Sequence, residues 1–140
     1  MRLFLDANVL FTAVHNPDGK AALVLTLGYE GLWQLVTGAY ALEEASRNLG
    51  RKYPDRMETL EAWLPRIRIA TDPRSVPCLT GLSKKDWPIY RAAIGCRADI
   101  LLTGDVKDFG FLMNDPTKTD GLLIQTVSDF LAGLVSNQHK

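Results

Sequence analysis

Residues 86–109, DWPIYRAAIGCRADILLTGDVKDF, decide the fold of this chain. Asp86 opens the stretch, and Pro88 falls in a first helical turn, where a missing N–H costs nothing. Ile89, Ala92, Ala93 and Cys96 then recur at helical spacing on one side. The run ILLT at 100–103 follows, short and uninterrupted, as in a strand covered on both faces, and it ends in Gly104-Asp105. A helix leading back into a buried strand is a segment of a parallel α/β sheet.

Four further apolar runs extend that pattern in both directions. RLFL at 2–5, LWQLVT at 32–37, RIRIAT at 66–71 and LLIQ at 122–125 are candidate strands, each followed by a polar turn. Helical spacing predicts a helix over 18–29, with Ala22, Leu25 and Tyr29 at that spacing. It predicts a helical pair over 40–52 and 55–64, broken at Pro54, and a last helix over 126–136 carrying Val127, Phe130, Leu131 and Leu134. The segment TDPRSVPCLTGLSKK at 71–85, with two prolines, reads as the one long irregular connection.

The 140 residues fit one domain, 1–140, with 46% hydrophobic and 23% charged residues, which excludes disorder and low-complexity classes. Cys78 and Cys96 are too few for a disulfide framework and read as buried small hydrophobes in a reducing compartment. Asp6 interrupts the first apolar run too early for a signal peptide, and no run has the length of a membrane span. A cytoplasmic location is the expectation. Sixteen Lys/Arg balance sixteen Asp/Glu, which argues against a uniformly basic nucleic-acid binder. The charges are uneven, however: residues 41–97 hold 11 basic and 7 acidic groups.

The acids stand where such a sheet places its ligands. Asp6 follows the first strand and Asp105 the fourth, and ligands of open parallel sheets bind beyond the carboxyl ends of the strands. Glu43 and Glu44, early on the helix after strand two, and Asp86, before the fourth strand's helix, lie over the same crevice. Carboxylates gathered in this way repel one another, by about 4 kcal/mol at 4 Å in a dielectric of 20. A hard divalent cation removes the conflict, and oxygen-only ligation favours Mg2+ or Mn2+ over Zn2+. That chemistry suits phosphodiester hydrolysis. A single Asp after a strand is more commonly a turn former or cap, and Asp18, Asp55, Asp72, Asp99, Asp115, Asp120 and Asp129 are assigned to that class. A helical wheel leaves both Glu43 and Glu44 off the core face, so spacing does not choose between them.

With these motifs in order, the sequence resembles the PIN (PilT N-terminus) domain family of metal-dependent ribonucleases. The resemblance rests on Asp6-Ala7-Asn8-Val9-Leu10, on LEEASRNL at 42–49, and above all on residues 86–109 with their Asp, Ala-rich helix, apolar strand, Thr-Gly-Asp ending and following acid and Phe. It implies a three-layer α/β/α fold around a parallel five-stranded sheet of order 3-2-1-4-5. It places Asp6, Glu44, Asp86 and Asp105 at the catalytic and metal-binding positions, choosing Glu44 because Ala45 follows it and Leu49 stands five residues on. Asp108 matches an additional acid of many members and is a candidate outer ligand; Asn8 and Thr103 resemble groups that orient the ligands. The activity implied is cleavage of single-stranded RNA by water activated at Mg2+ or Mn2+, in the manner of VapC-like toxins. The implied partners are a cognate antitoxin and a second copy in a homodimer, with no membrane. The alternative is a non-catalytic PIN-type module that binds RNA or protein, which the presence of all four acids disfavours. A receiver domain or a haloacid-dehalogenase-type phosphatase would need a second Asp where Asn8 or a neighbour stands.

Several other residues have both a functional and a plain reading. Arg47 and Arg51 share a stripe with Glu44 and are candidate phosphate contacts, or else a solvated face. Lys84, Lys85 and Arg91 form a second candidate set beside Asp86, and Trp87 is a candidate base stacker or a packing residue. Met57, Leu60, Trp63 and Leu64 suit a core stripe or a partner's docking groove. His15 and His139 have no neighbouring ligand pattern and are given no role.

Overall fold

A computed structural model describes residues Met1–Gln138; His139 lies outside the described residues. Leu3, Phe4 and Leu5 of strand β1 (Arg2–Leu5) and Leu101 and Leu102 of β4 (Ile100–Leu102) are wholly buried, as continuous apolar runs in central parallel strands must be. With β2 (Gln34–Gly38), β3 (Arg68–Ala70) and β5 (Leu123–Gln125) they form one five-stranded sheet of order β3-β2-β1-β4-β5. Every neighbouring pair is parallel. The architecture is the expected three-layer α/β fold, and β1 lies between β2 and β4.

Seven α-helices are described: α1 (Ala7–His15), α2 (Lys20–Tyr29), α3 (Ala39–Lys52), α4 (Met57–Trp63), α5 (Trp87–Gly95), α6 (Val106–Phe109) and α7 (Val127–Gln138). The prolines act as anticipated, Pro54 opening a short 3-10 turn before α4 and Pro88 occupying the first turn of α5. The main core gathers the strands with α1, α2, α5 and Phe130 of α7. A second, smaller cluster joins α1, α3 and α4 through Val14, Leu49 and Leu60, with Phe11, Met57 and Leu64 half-buried around it. Of the stripe on α4 only Leu60 is fully buried, and Met57, Trp63 and Leu64 are half-buried.

Two expectations are corrected, and several short or atypical elements carry no signal in the sequence. Helix α1 was not anticipated, because ANVLFTAVH is rich in weak helix formers and begins directly at Asp6, the residue that ends the strand run. The buried face of α2 is Ala21, Val24 and Leu25, and Tyr29 is 58% exposed, its ring under the Arg66 guanidinium at 4.1 Å from the centroid. Cys78 is exposed in the irregular segment, whereas Cys96 is buried. Helix α6 and the 3-10 turns at Gly110–Leu112 and Pro116–Lys118 are too short to leave a periodic signature. Among the described residues no helix is long and apolar enough to cross a membrane.

Candidate metal centre

The site grows out of the pairing of β1 with β4. Leu5 stands opposite Leu102, so the next residues, Asp6 and Thr103, leave the sheet side by side, tied by the Asp6 N–H donating to the Leu102 carbonyl at 3.0 Å. Asp6 is 3% exposed and caps α1, accepting from the Ala7 N–H at 2.7 Å. Its other oxygen accepts from the buried Thr103 hydroxyl at 2.7 Å. Burial pushes the Asp6 carboxyl above its ordinary pKa, opposed by those two hydrogen bonds, with the charges of Glu44 and Asp105 adding to the rise.

Thr103 is the hinge of the arrangement. Its hydroxyl oxygen also accepts from the Asp105 N–H at 3.1 Å, which fixes the turn that carries Asp105. Asp105 in turn caps α6, accepting from the Asp108 N–H at 3.1 Å. The Asn8 side-chain oxygen accepts from the Gly104 N–H at 2.7 Å, linking the first turn of α1 to the same loop. A Cβ at position 104 would stand 3.3 Å from that Asn8 oxygen, so a glycine allows the close approach.

Asp86 arrives from a 3-10 turn (Lys84–Asp86) at the start of α5. It is 7% exposed, and its Oδ2 is buried with no hydrogen-bond partner among the described residues. Burial pushes its pKa up to about 7; Lys85 works against that rise, and Asp105, Asp6 and Asp108 add to it. One carboxylate oxygen each from Asp86, Asp105 and Asp108 lie within 4.8 Å of one another. Asp108 therefore stands inside the acidic group rather than outside it. Asp6 borders this group, and Glu44 flanks Asp6 on the α3 side, lining a cavity of about 150 Å³ with Ala7, Asn8 and Phe11. Glu43 faces away: its side chain is 75% exposed and pairs with Arg47 at 3.6 Å.

The proposed phosphate contacts fare unequally. The Lys85 ammonium pairs with Asp108 at 2.9 Å and with Asp105 at 3.8 Å, so it offsets the acids while its side chain stays largely exposed. Arg91 grips Asp72 through two hydrogen bonds of 3.1 and 3.0 Å and pins the irregular segment to α5, a correction to its expected role. Trp87 donates its indole N–H to the Leu82 carbonyl at 2.8 Å and packs half-buried against the core, with the Lys84 ammonium over its ring at 6.0 Å. Sequence reasoning missed the Lys85 pairing and the ring cluster of Phe11, His15 and Tyr53. The signal for the latter was the spacing of Asn8, Phe11 and His15 on one stripe of the unrecognised helix α1.

The acids fit a hard divalent cation. All donors are oxygens, three converge, and a buried carboxylate oxygen lacks a partner. A concavity of about 510 Å³ at the opposite end of the sheet, around Arg2, Gln34 and Asp99, offers no such convergence.

The family model described as PIN domain matches residues 2–107. The chain belongs to the PIN domain family. Among solved structures it is similar to VapBC2 from Rickettsia felis bound to a DNA fragment from its promoter, at 15% identity and a TM-score of 0.63, over 90% of this chain and 98% of that one. It is also similar to VapBC from Salmonella typhimurium bound to DNA, at 13% identity and a TM-score of 0.62, over 91% of this PIN domain and 98% of the other chain. VapBC-1 from nontypeable Haemophilus influenzae aligns at 16% identity and a TM-score of 0.58, over 91% and 99%. No curated protein matches the chain in sequence.

Proposed function

We propose that this PIN domain is a Mg2+- or Mn2+-dependent endoribonuclease of the VapC-like toxin type, acting on single-stranded RNA and restrained by an antitoxin. The observation that carries the reading is the convergence of Asp86, Asp105 and Asp108 beside Asp6, together with a buried Asp86 oxygen that has no hydrogen-bond partner among the described residues. Asp6, Asp86 and Asp105 would hold the cation, with Glu44 on the flank and Asp108 alongside. Such an ion polarises the phosphodiester and makes water a better nucleophile near neutral pH.

The chain's own residues prepare that chemistry. Ala7 and Thr103 hold both oxygens of Asp6 in one orientation, so little reordering is needed when charge arrives. Asn8 and Gly104 lock the loop that presents Asp105. Lys85 offers a cation at the mouth of the site, within reach of a phosphate once the acids are otherwise neutralised. The antitoxin is part of the proposal, supported by structural neighbours that are VapBC proteins; a homodimeric assembly is proposed with it.

The test compares cleavage of single-stranded RNA by the wild type and by Asp6→Asn and Asp105→Asn, with Mn2+ and with chelator. Metal-dependent cleavage lost in both variants is expected; equal cleavage by all three, or cleavage in chelator, overturns the mechanism. Induced expression should arrest growth, relieved by the product of an adjacent gene. Unaffected growth would remove the toxin assignment and leave the nuclease standing.

A further inference from the structure

Beside Asp6, on the α3 side, the cavity of about 150 Å³ is lined by Ala7, Asn8, Phe11, Glu44, Asn48 and Lys52. Its walls mix one aromatic face, two amides, one cation and one carboxylate, and Glu44 joins it to the acidic site. Phe11 is half-buried, its underside packed on the Val14, Leu49 and Leu60 cluster. Behind it the His15 and Tyr53 rings stack in parallel, 4.5 Å apart and 6° from coplanar. Both are tilted against Phe11, at 5.4 and 5.8 Å. Three rings thus brace one another into a shelf that does not need ordering when a ligand arrives.

The cavity also carries a cation, Lys52. Arg47, Lys85 and Arg91 are each engaged with a carboxylate. Lys52 is exposed, makes no salt bridge among the described residues, and stands over the Phe11 ring at 5.7 Å from its centroid, so a base that stacks there takes the place of the ammonium.

We propose that this cavity is a nucleobase subsite, in which Phe11 stacks on one base of the single-stranded RNA while Lys52 meets the adjoining phosphate. An aromatic face next to an unpaired cation is how single strands are held, because every base has a π face and every linkage a charge. Asn48 offers an amide group for the base edge, whereas the Asn8 amide is already engaged with Gly104, Asp6 and Thr103. A peptide segment would call for a deeper apolar socket than these half-polar walls provide. The proposal rests on the ribonuclease reading and specifies where the nucleotide beside the scissile bond is held.

The experiment uses the Asp6→Asn protein with Mn2+, which binds RNA without cutting it, and short single-stranded oligoribonucleotides carrying 2-aminopurine at one position each. Stacking quenches 2-aminopurine, so binding should quench one position strongly. Phe11→Leu keeps the apolar packing and removes the ring; it should abolish that quenching and weaken binding about 5- to 150-fold, the range of one base–aromatic stack. Phe11→Tyr should restore both. Lys52→Ala, at an exposed position where folding is not at issue, should reduce the slope of log affinity against log salt by about 0.7. Unchanged quenching in Phe11→Leu and an unchanged slope in Lys52→Ala, with the wild type still cleaving RNA, would overturn the subsite and leave the nuclease intact. If the wild type neither binds nor cleaves RNA, both readings fall.

Discussion

The Lys85 ammonium lies 2.9 Å from Asp108 and 3.8 Å from Asp105, and so occupies the charge position that a divalent cation would neutralise. Asp108 is held below the usual carboxylate range chiefly by its hydrogen bond with Lys85, and the Lys85 pKa is raised by the same contact. An ammonium and a metal ion at one acidic group compete. Lys85→Met should therefore tighten Mn2+ binding about two- to five-fold, the scale of an exposed ion pair, as read by calorimetric titration. Weaker binding in the variant would show that Lys85 supports the ion rather than opposing it.

The Asp86 carboxyl, pushed up to about 7 by burial, gives stability a defined pH dependence. Between its ordinary value of 3.8 and about 7 the folded state binds a proton that the unfolded state has released. Without divalent cation, the melting temperature should therefore fall as pH rises across that window, with Asp6 contributing in the same direction. Asp86→Asn should flatten the profile. Stabilisation by Mn2+ should show the opposite trend, growing as pH rises through 7, because the ion binds the deprotonated acid.

Thr103 joins two catalytic candidates through one hydroxyl. Thr103→Val removes its bond to Asp6 and the acceptor for the Asp105 N–H, in a residue that is fully buried. The expected cost is about 1–3 kcal/mol of stability by chemical denaturation, since a buried carboxylate oxygen loses its donor. Thr103→Ser should recover most of it.

Glu43 and Glu44 provide an internal control. Glu44 lines the cavity beside Asp6, whereas Glu43 points to solvent and pairs only with Arg47. Glu44→Gln should lower kcat for RNA cleavage at least tenfold; Glu43→Gln should stay within twofold of wild type, because an exposed i,i+4 pair contributes only a few tenths of a kcal/mol. The reverse ranking would move the site's fifth carboxylate to position 43.

Apolar continuity made the sheet legible in the sequence: RLFL and ILLT are buried on both faces because both are central strands. The same logic placed Asp6 and Asp105 past strand ends, and resemblance supplied the strand order. What remained hidden depended on chain paths that periodicity does not encode. Arg91 meets Asp72 only because the irregular segment folds back over α5, and Cys78 is exposed for the same reason. Lys85 turns toward Asp108 because a 3-10 turn, and not the first turn of α5, carries it. The choice between Glu43 and Glu44 needed the pitch of α3 relative to Asp6, a tertiary quantity.

The central position of β1 has a temporal meaning during synthesis. Its two neighbours are β2 and β4, so the first strand made is completed on one side by a segment that begins only at Ile100. Chains emerge N-terminus first, and a growing chain that stops short of Thr103 can hold neither the clasp on Asp6 nor the acidic group, which is complete only at Asp108. The cluster therefore assembles late, after most of the polypeptide has left the ribosome. A nascent chain at earlier stages lacks the acidic group altogether.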